Sequence, residues 1–63
     1  MSATWFTNYH VRFDGGPEIV VTEVDNSESL AIEKAQSIMR RSRRILNEDV
    51  LATARVVYEE SAD

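Results

Sequence analysis

This 63-residue chain is predicted to fold as a small α+β domain with one helix packed on a three-stranded sheet. Three observations predict that class: alternating apolar and polar residues at both ends of the chain, a glycine-rich turn after the first alternating stretch, and one long stretch with apolar residues at helical spacing. The predicted element order is ββαβ. A single domain over residues 1–63 is expected, because so short a chain forms one core.

The first predicted strand spans residues 3–13 and is rich in aromatic and β-branched side chains. Its alternation assigns one set of side chains to the face toward the helix: Trp5, Thr7, Tyr9, Val11 and Phe13. Residues 14–17, Asp-Gly-Gly-Pro, predict a hairpin turn, since glycine adopts positive φ cheaply and proline lacks a ladder donor. Residues 18–24 are the returning strand.

The predicted helix spans residues 26–46. Asp25 can accept hydrogen bonds from the first-turn amides, and Glu28, three residues later, completes a capping box. The following apolar positions gather on one stripe that is expected to face the sheet: Ala31, Ile32, Ala35, Ile38, Met39, Ser42, Ile45 and Leu46.

The last predicted strand, residues 50–59, alternates again. Its alternation assigns Val50, Ala52, Ala54, Val56 and Tyr58 to one face and Leu51, Thr53, Arg55, Val57 and Glu59 to the other. A right-handed return through the helix places this strand beside the first, which gives sheet order 2-1-3 with antiparallel neighbours. The helix then covers one face and leaves the opposite face open.

Four of the seven basic residues stand together near the end of the predicted helix, in the segment Arg40-Arg41-Ser42-Arg43-Arg44. The remaining three are outnumbered by eleven acidic residues, so the chain is net negative with one positive centre. Such a distribution attracts a partner that carries negative charge. We therefore predict Arg40, Arg41, Arg43 and Arg44 as partner-binding residues. The structural alternative is that these cations only complement the negative end of the helix dipole.

No catalytic, metal or cofactor site is predicted. His10 is the single histidine, and there is no cysteine to supply a thiolate ligand. Gly15-Gly16 lies in a hairpin and not in a phosphate-binding loop before a helix. Glu59 and Glu60 point to opposite faces of a strand, which disfavours an acid/base pair. The chain is accordingly predicted to be non-enzymatic.

The leading functional prediction is an interaction module that binds another protein as an accessory, regulatory or inhibitory factor. Its size and lack of an active-site constellation also fit a phage accessory protein. The alternative is a nucleic-acid-binding protein that uses the Arg40–Arg44 cluster together with a strand surface of Phe6, His10, Arg12 and Arg55. The net charge of −4 opposes affinity for a phosphate backbone and ranks this alternative second.

A homodimer is also predicted, because a chain of this length without disulfides has a marginal core and the open sheet face is partly apolar. The two copies are expected to meet through that face or through an exposed strand edge. The predicted dimer or second-face surface consists of Phe6, His10, Arg12, Leu51, Arg55 and Val57.

Location follows from three features of the composition. No apolar run approaches the ~20 residues of a membrane helix. The first residues lack the basic and apolar segments of a signal peptide. Cysteine is missing, which is compatible with a reducing compartment. We therefore expect a cytoplasmic protein that makes no membrane contact.

Overall fold

The computed structural model describes residues 6–24 and 27–61. The elements in chain order are β1 (Thr7–Arg12), β2 (Glu18–Glu23), α1 (Glu28–Arg41), the short α2 (Glu48–Leu51) and β3 (Arg55–Ser61). The central strand β1 pairs antiparallel with both neighbours in the order β2-β1-β3, and α1 packs against this sheet. The predicted α+β class and the sheet order 2-1-3 are therefore confirmed. The predictions for Trp5 and Asp25 concern residues outside the described part of the chain.

The hydrophobic core lies between α1 and one face of the sheet. It consists of nine buried side chains: Tyr9, Val11, Phe13, Val21, Ala31, Ala35, Met39, Ile45 and Leu51. The alternation of the first strand correctly predicted the inward face of β1. Ala31 and Ala35 are fully buried, and such small side chains let the helix approach the sheet closely. Met39 then fills the core at the far end of the helix.

The hairpin between β1 and β2 forms at the predicted residues. Gly15 adopts a φ of +67°, and the Gly16 amide donates to the Phe13 carbonyl at 3.1 Å. A positive φ is inexpensive only for glycine, which explains the choice of residue at position 15.

The helix begins later than predicted. Its N-cap is Ser27, whose side-chain oxygen accepts a hydrogen bond from the Leu30 amide at 3.3 Å. Glu28 is the first helical residue, and its carboxylate lies in the first turn, where the helix dipole favours negative charge.

The helix also ends earlier than predicted, at Arg41 and not at Leu46. After the C-cap Ser42, Arg43 adopts a φ of +60°. The Arg43 amide donates to the Arg40 carbonyl at 3.2 Å and the Arg44 amide to the Met39 carbonyl at 3.1 Å. These two hydrogen bonds form a Schellman motif, which satisfies the last carbonyls and turns the chain away from the helix axis.

The predicted apolar stripe is correspondingly too wide. Ile45 is buried, although it lies in the loop, whereas Ser42 and Leu46 are exposed. Ile38 lies in the helix but is 47% exposed. It sits about 60° around the helix from the line of buried residues, and the narrow sheet does not reach that far.

The predicted third strand was wrong at its beginning. Residues 48–51 form α2, which Asn47 caps by accepting a hydrogen bond from the Asp49 amide at 2.8 Å. Leu51 is 1% exposed and belongs to the core, not to the open sheet face. The Gln36 side-chain amide donates to the Leu51 carbonyl at 2.8 Å and thereby links α1 to α2.

The predicted faces of β3 were wrong beyond Val56 because this strand contains a β-bulge. His10 pairs with Tyr58 while Val11 pairs with Val56, so Val57 is an extra residue without an opposite partner. A single extra residue reverses the alternation of the strand. Val56 therefore packs against the core, whereas Tyr58 lies with His10 on the open face.

Candidate functional site

The arginine turn, defined here as residues 40–44, is fixed to the core at both ends. Met39 and Ile45, which flank it, are both buried. The Met39 carbonyl accepts hydrogen bonds from the Arg44 amide at 3.1 Å and from the Ile45 amide at 3.4 Å. These contacts constrain the backbone that carries the arginines, and a constrained backbone lowers the entropic cost of binding a partner.

Arg40 differs from the other arginines of the turn because it is already neutralised. Its Nη2 lies 3.0 Å from Oε1 of Glu48, and its Nε lies 3.4 Å from Oε2 of the same residue. This ion pair ties the end of α1 to the first turn of α2. Within residues 6–24 and 27–61, no carboxylate forms an ion pair with Arg41, Arg43 or Arg44. The predicted four-residue site therefore offers three available guanidinium groups.

The three other basic residues are each paired with a carboxylate. Lys34 contacts the buried Glu23, and Arg12 contacts Glu18 with its Nη2 2.8 Å from Oε1. Arg55 contacts Asp14 with its Nη1 2.7 Å from Oδ1. In the described part of the chain, uncompensated positive charge is therefore concentrated at the arginine turn. Guanidinium groups bind carboxylates and phosphates through paired hydrogen bonds, so this turn is suited to an anionic partner.

The second candidate surface is the open face of the sheet, with His10 at its centre. The His10 Nδ1 lies 3.3 Å from Oε2 of Glu18 on β2, and its Nε2 lies 3.4 Å from Oε1 of Glu60 on β3. The His10 and Tyr58 rings form a T-shaped pair, with a centroid distance of 5.0 Å and an interplanar angle of 70°. His10 thereby links all three strands.

The charges on the open face largely compensate one another. Hydrogen bonds from Arg12 and then from His10 hold the pKa of Glu18 below its usual range. Arg12, His10 and Arg55 each lie against a carboxylate, so none of them offers a free positive charge to a phosphate. The face as a whole is suited to packing against another polar surface more than to binding a strong anion.

The membership of the open face differs from the sequence prediction. Leu51 is absent from it, Phe6 is half-buried, and Val57 is the bulge residue. Sequence reasoning missed Tyr58, which is 56% exposed, because no sequence signal marks the bulge. Val20 is a half-exposed apolar side chain on this face and lies directly opposite His10 in the β1–β2 pairing.

No helix in the described part of the chain has the length and apolar composition needed to cross a membrane. No group of three or more His, Asp or Glu side chains in residues 6–24 and 27–61 is arranged to hold a metal ion.

Comparison of this chain with protein-family models, with curated proteins and with solved structures gave no match.

Proposed function

We propose that this protein is a non-enzymatic interaction module that binds an acidic surface of a partner protein through Arg41, Arg43 and Arg44. The carrying observation is that these three guanidinium groups have no carboxylate partner within the described residues, whereas the four other basic side chains do. Arginines without a carboxylate partner, on a turn whose backbone is constrained, can bind carboxylates of a partner through paired hydrogen bonds of defined orientation. The module acts as an accessory, regulatory or inhibitory factor, and we expect it to act in the cytoplasm.

A protein partner is favoured over nucleic acid for electrostatic reasons. The chain carries a net charge of −4, which repels a polyanion outside the immediate contact. The nucleic-acid alternative also requires the strand surface of Phe6, His10, Arg12 and Arg55. On that surface the three basic side chains are held by carboxylates, so a nucleic acid would first have to displace them. Phosphate binding would then depend on the arginine turn alone.

The proposal includes self-association along β2. This edge strand pairs with β1 over six residues without a break, whereas the opposite edge, β3, is interrupted by its bulge. An unbroken edge offers unpaired amides and carbonyls to another strand, and a bulge opposes such pairing. Val20 lies in the middle of β2 and is 53% exposed. An antiparallel contact about a two-fold axis would set it against the partner's Val20.

The test of the proposed function is capture of the partner by the immobilised protein and by a variant with Arg41→Gln and Arg44→Gln. Both substitutions remove charge while keeping the residue polar, and neither side chain is part of the core. We expect capture to be strong at low salt, to survive nuclease treatment and to be lost in the double variant. The matched control is Arg55→Gln, which removes an arginine that is already paired with Asp14.

Two results would contradict this proposal. Undiminished capture by the double variant would show that the arginine turn only solvates the helix end. Loss of capture after nuclease treatment, with a steep decline in binding between about 50 and 200 mM salt, would instead identify nucleic acid as the ligand.

A further inference from the structure

Two large aliphatic side chains that helical spacing assigns to the core are instead exposed beside the arginine turn. Ile38 is 47% exposed and Leu46 is 73% exposed, the largest exposed fraction among the large hydrophobic residues of the described chain. Transfer of an exposed aliphatic side chain out of water is favourable, so a partner that covers it gains binding free energy. Apolar residues that depart from the core pattern are often found at functional sites, and these two lie beside the candidate site.

The backbone brings the two aliphatic residues to the same end of α1. The Ser42 amide donates to the Ile38 carbonyl at 2.9 Å, which places Ile38 in the last turn of the helix. The Ile45 amide donates to the Met39 carbonyl at 3.4 Å, so the chain has returned to that turn immediately before Leu46. The arginine turn therefore begins close to Ile38, and its end is followed directly by Ile45 and Leu46.

We infer that Ile38, Leu46 and the three unpaired arginines form one mixed surface that binds an acidic protein segment containing apolar residues. The inference rests on the proposed function and specifies the partner: carboxylates contact Arg41, Arg43 and Arg44, while apolar side chains cover Leu46 and Ile38. The charge of the surface selects an acidic segment. The aliphatic groups favour a peptide over a nucleic acid, because apolar side chains of a peptide are buried favourably against them, whereas covering a charged phosphate with leucine costs hydration and single-stranded bases stack mainly on aromatic side chains.

The test uses two synthetic peptides of equal length and charge, one alternating Glu with Leu and the other alternating Glu with Ser, and an oligonucleotide as the third probe. Affinities are measured by fluorescence anisotropy for the wild-type protein and for Leu46→Gln. We expect the Glu/Leu peptide to bind about tenfold more tightly than the Glu/Ser peptide, the change that follows from burying part of one leucine. Leu46→Gln should remove most of that difference.

The matched control is Leu30→Gln. Leu30 is 45% exposed on the same helix but lies in its first turn, next to Glu28 and far along the chain from the arginines. This variant should bind both peptides like the wild type. Both leucines are exposed, so a thermal melt is expected to find both variants folded.

Failure of this inference and failure of the proposed function give different results. Equal binding of the two peptides, with Leu46→Gln unchanged and Arg41→Gln weakened, would overturn the mixed surface but leave an arginine site for acidic proteins. Binding of the oligonucleotide in preference to both peptides would overturn both. Weak binding of every probe, unchanged by Arg41→Gln, would likewise overturn both.

Discussion

Arg43 occupies the backbone position at which helices most often place glycine. Its φ of +60° lies in the left-handed region, where a residue with a Cβ atom costs about 1–2 kcal/mol. The Schellman motif requires this conformation, because the Arg43 and Arg44 amides can reach the last helical carbonyls only if the chain reverses there. Arginine at this position therefore carries a local conformational cost that glycine would avoid.

Replacement of Arg43 by glycine should stabilise the fold. We expect Arg43→Gly to raise the free energy of unfolding by about 0.5–1 kcal/mol, since glycine adopts positive φ without strain. Arg41→Gly is the control: Arg41 is helical, so glycine there should cost about 1 kcal/mol. Urea unfolding of both variants measures the two effects. Two losses of similar size would mean that Arg43 is not left-handed in solution.

Glu18 should make part of the stability of the sheet dependent on pH. Its pKa is lowered in the folded state by Arg12 and by His10, so its contribution is complete above the ordinary carboxyl pKa. That contribution is lost as the pH falls through the lower folded pKa, because protonation removes the acceptor charge. Between these two pKa values, we expect the free energy of unfolding of Glu18→Gln to fall less with decreasing pH than that of the wild type. Unfolding free energies from circular dichroism at stepped pH values measure the slope.

The control for the pH experiment is Glu33→Gln, which replaces an exposed helical carboxylate that has no ion pair among the described residues. Its acid sensitivity should match that of the wild type. An identical slope in Glu18→Gln and the wild type would mean that the Arg12 and His10 contacts contribute nothing to stability.

The helix α1 is held to the sheet by a line of small residues that ends in one large residue. Ala31, Ala35 and Met39 recur every four positions and are all essentially inaccessible to solvent. Ile32 and Ile38 flank this line and are less buried. A narrow contact of this kind follows from the small width of a three-stranded sheet, and it concentrates packing energy at Met39.

Truncation of Met39 should therefore destabilise the protein much more than truncation of Ile38. We expect Met39→Ala to cost about 2–5 kcal/mol through a core cavity, and Ile38→Ala to cost less than about 1 kcal/mol. Met39→Leu keeps the volume and should cost below about 1.5 kcal/mol, which makes the comparison possible even if Met39→Ala unfolds. Chemical denaturation ranks the three variants. A larger loss for Ile38→Ala would contradict the assigned orientation of the helix.

At the scale of the whole molecule, the small core and the β2 edge favour association of two copies. A domain of this length has a core worth only about 3–5 kcal/mol, and strand pairing between copies adds burial without lengthening the chain. We expect light scattering at micromolar concentration to give twice the chain mass of 7.2 kDa. Val20→Lys should shift the protein toward the monomer, because a lysine on an edge strand opposes pairing.

The control for association is a lysine on the bulged edge at Val57, which is 40% exposed and should leave the dimer intact. A mass near 7.2 kDa at all concentrations would reject self-association. If Val57→Lys dissociates the dimer and Val20→Lys does not, the contact between the two copies lies on β3 and not on β2.

The alternation of the first strand, the glycine turn and the helical spacing were sufficient to predict the fold class and the order of the sheet. They also predicted the buried face of β1 and the position of the arginine cluster. These features depend on local preferences: the period of the side chains, the φ angles that glycine allows, and the short connections that a small domain requires.

The tertiary structure alone decided which predicted residues face outward. The Schellman motif ends the helix before its apolar spacing ends, which exposes Leu46, and the narrow sheet leaves Ile38 uncovered. The bulge at Val57 moves Tyr58 to the open face. Among the described residues, the Arg40–Glu48 ion pair leaves Arg41, Arg43 and Arg44 as the arginines of the turn without a carboxylate partner. The bulge and the uncovered side of α1 depend on how strands and helix that are distant in sequence pack together. The Schellman motif and the Arg40–Glu48 ion pair span three to eight residues, but the period of the apolar side chains does not report the backbone reversal that creates them.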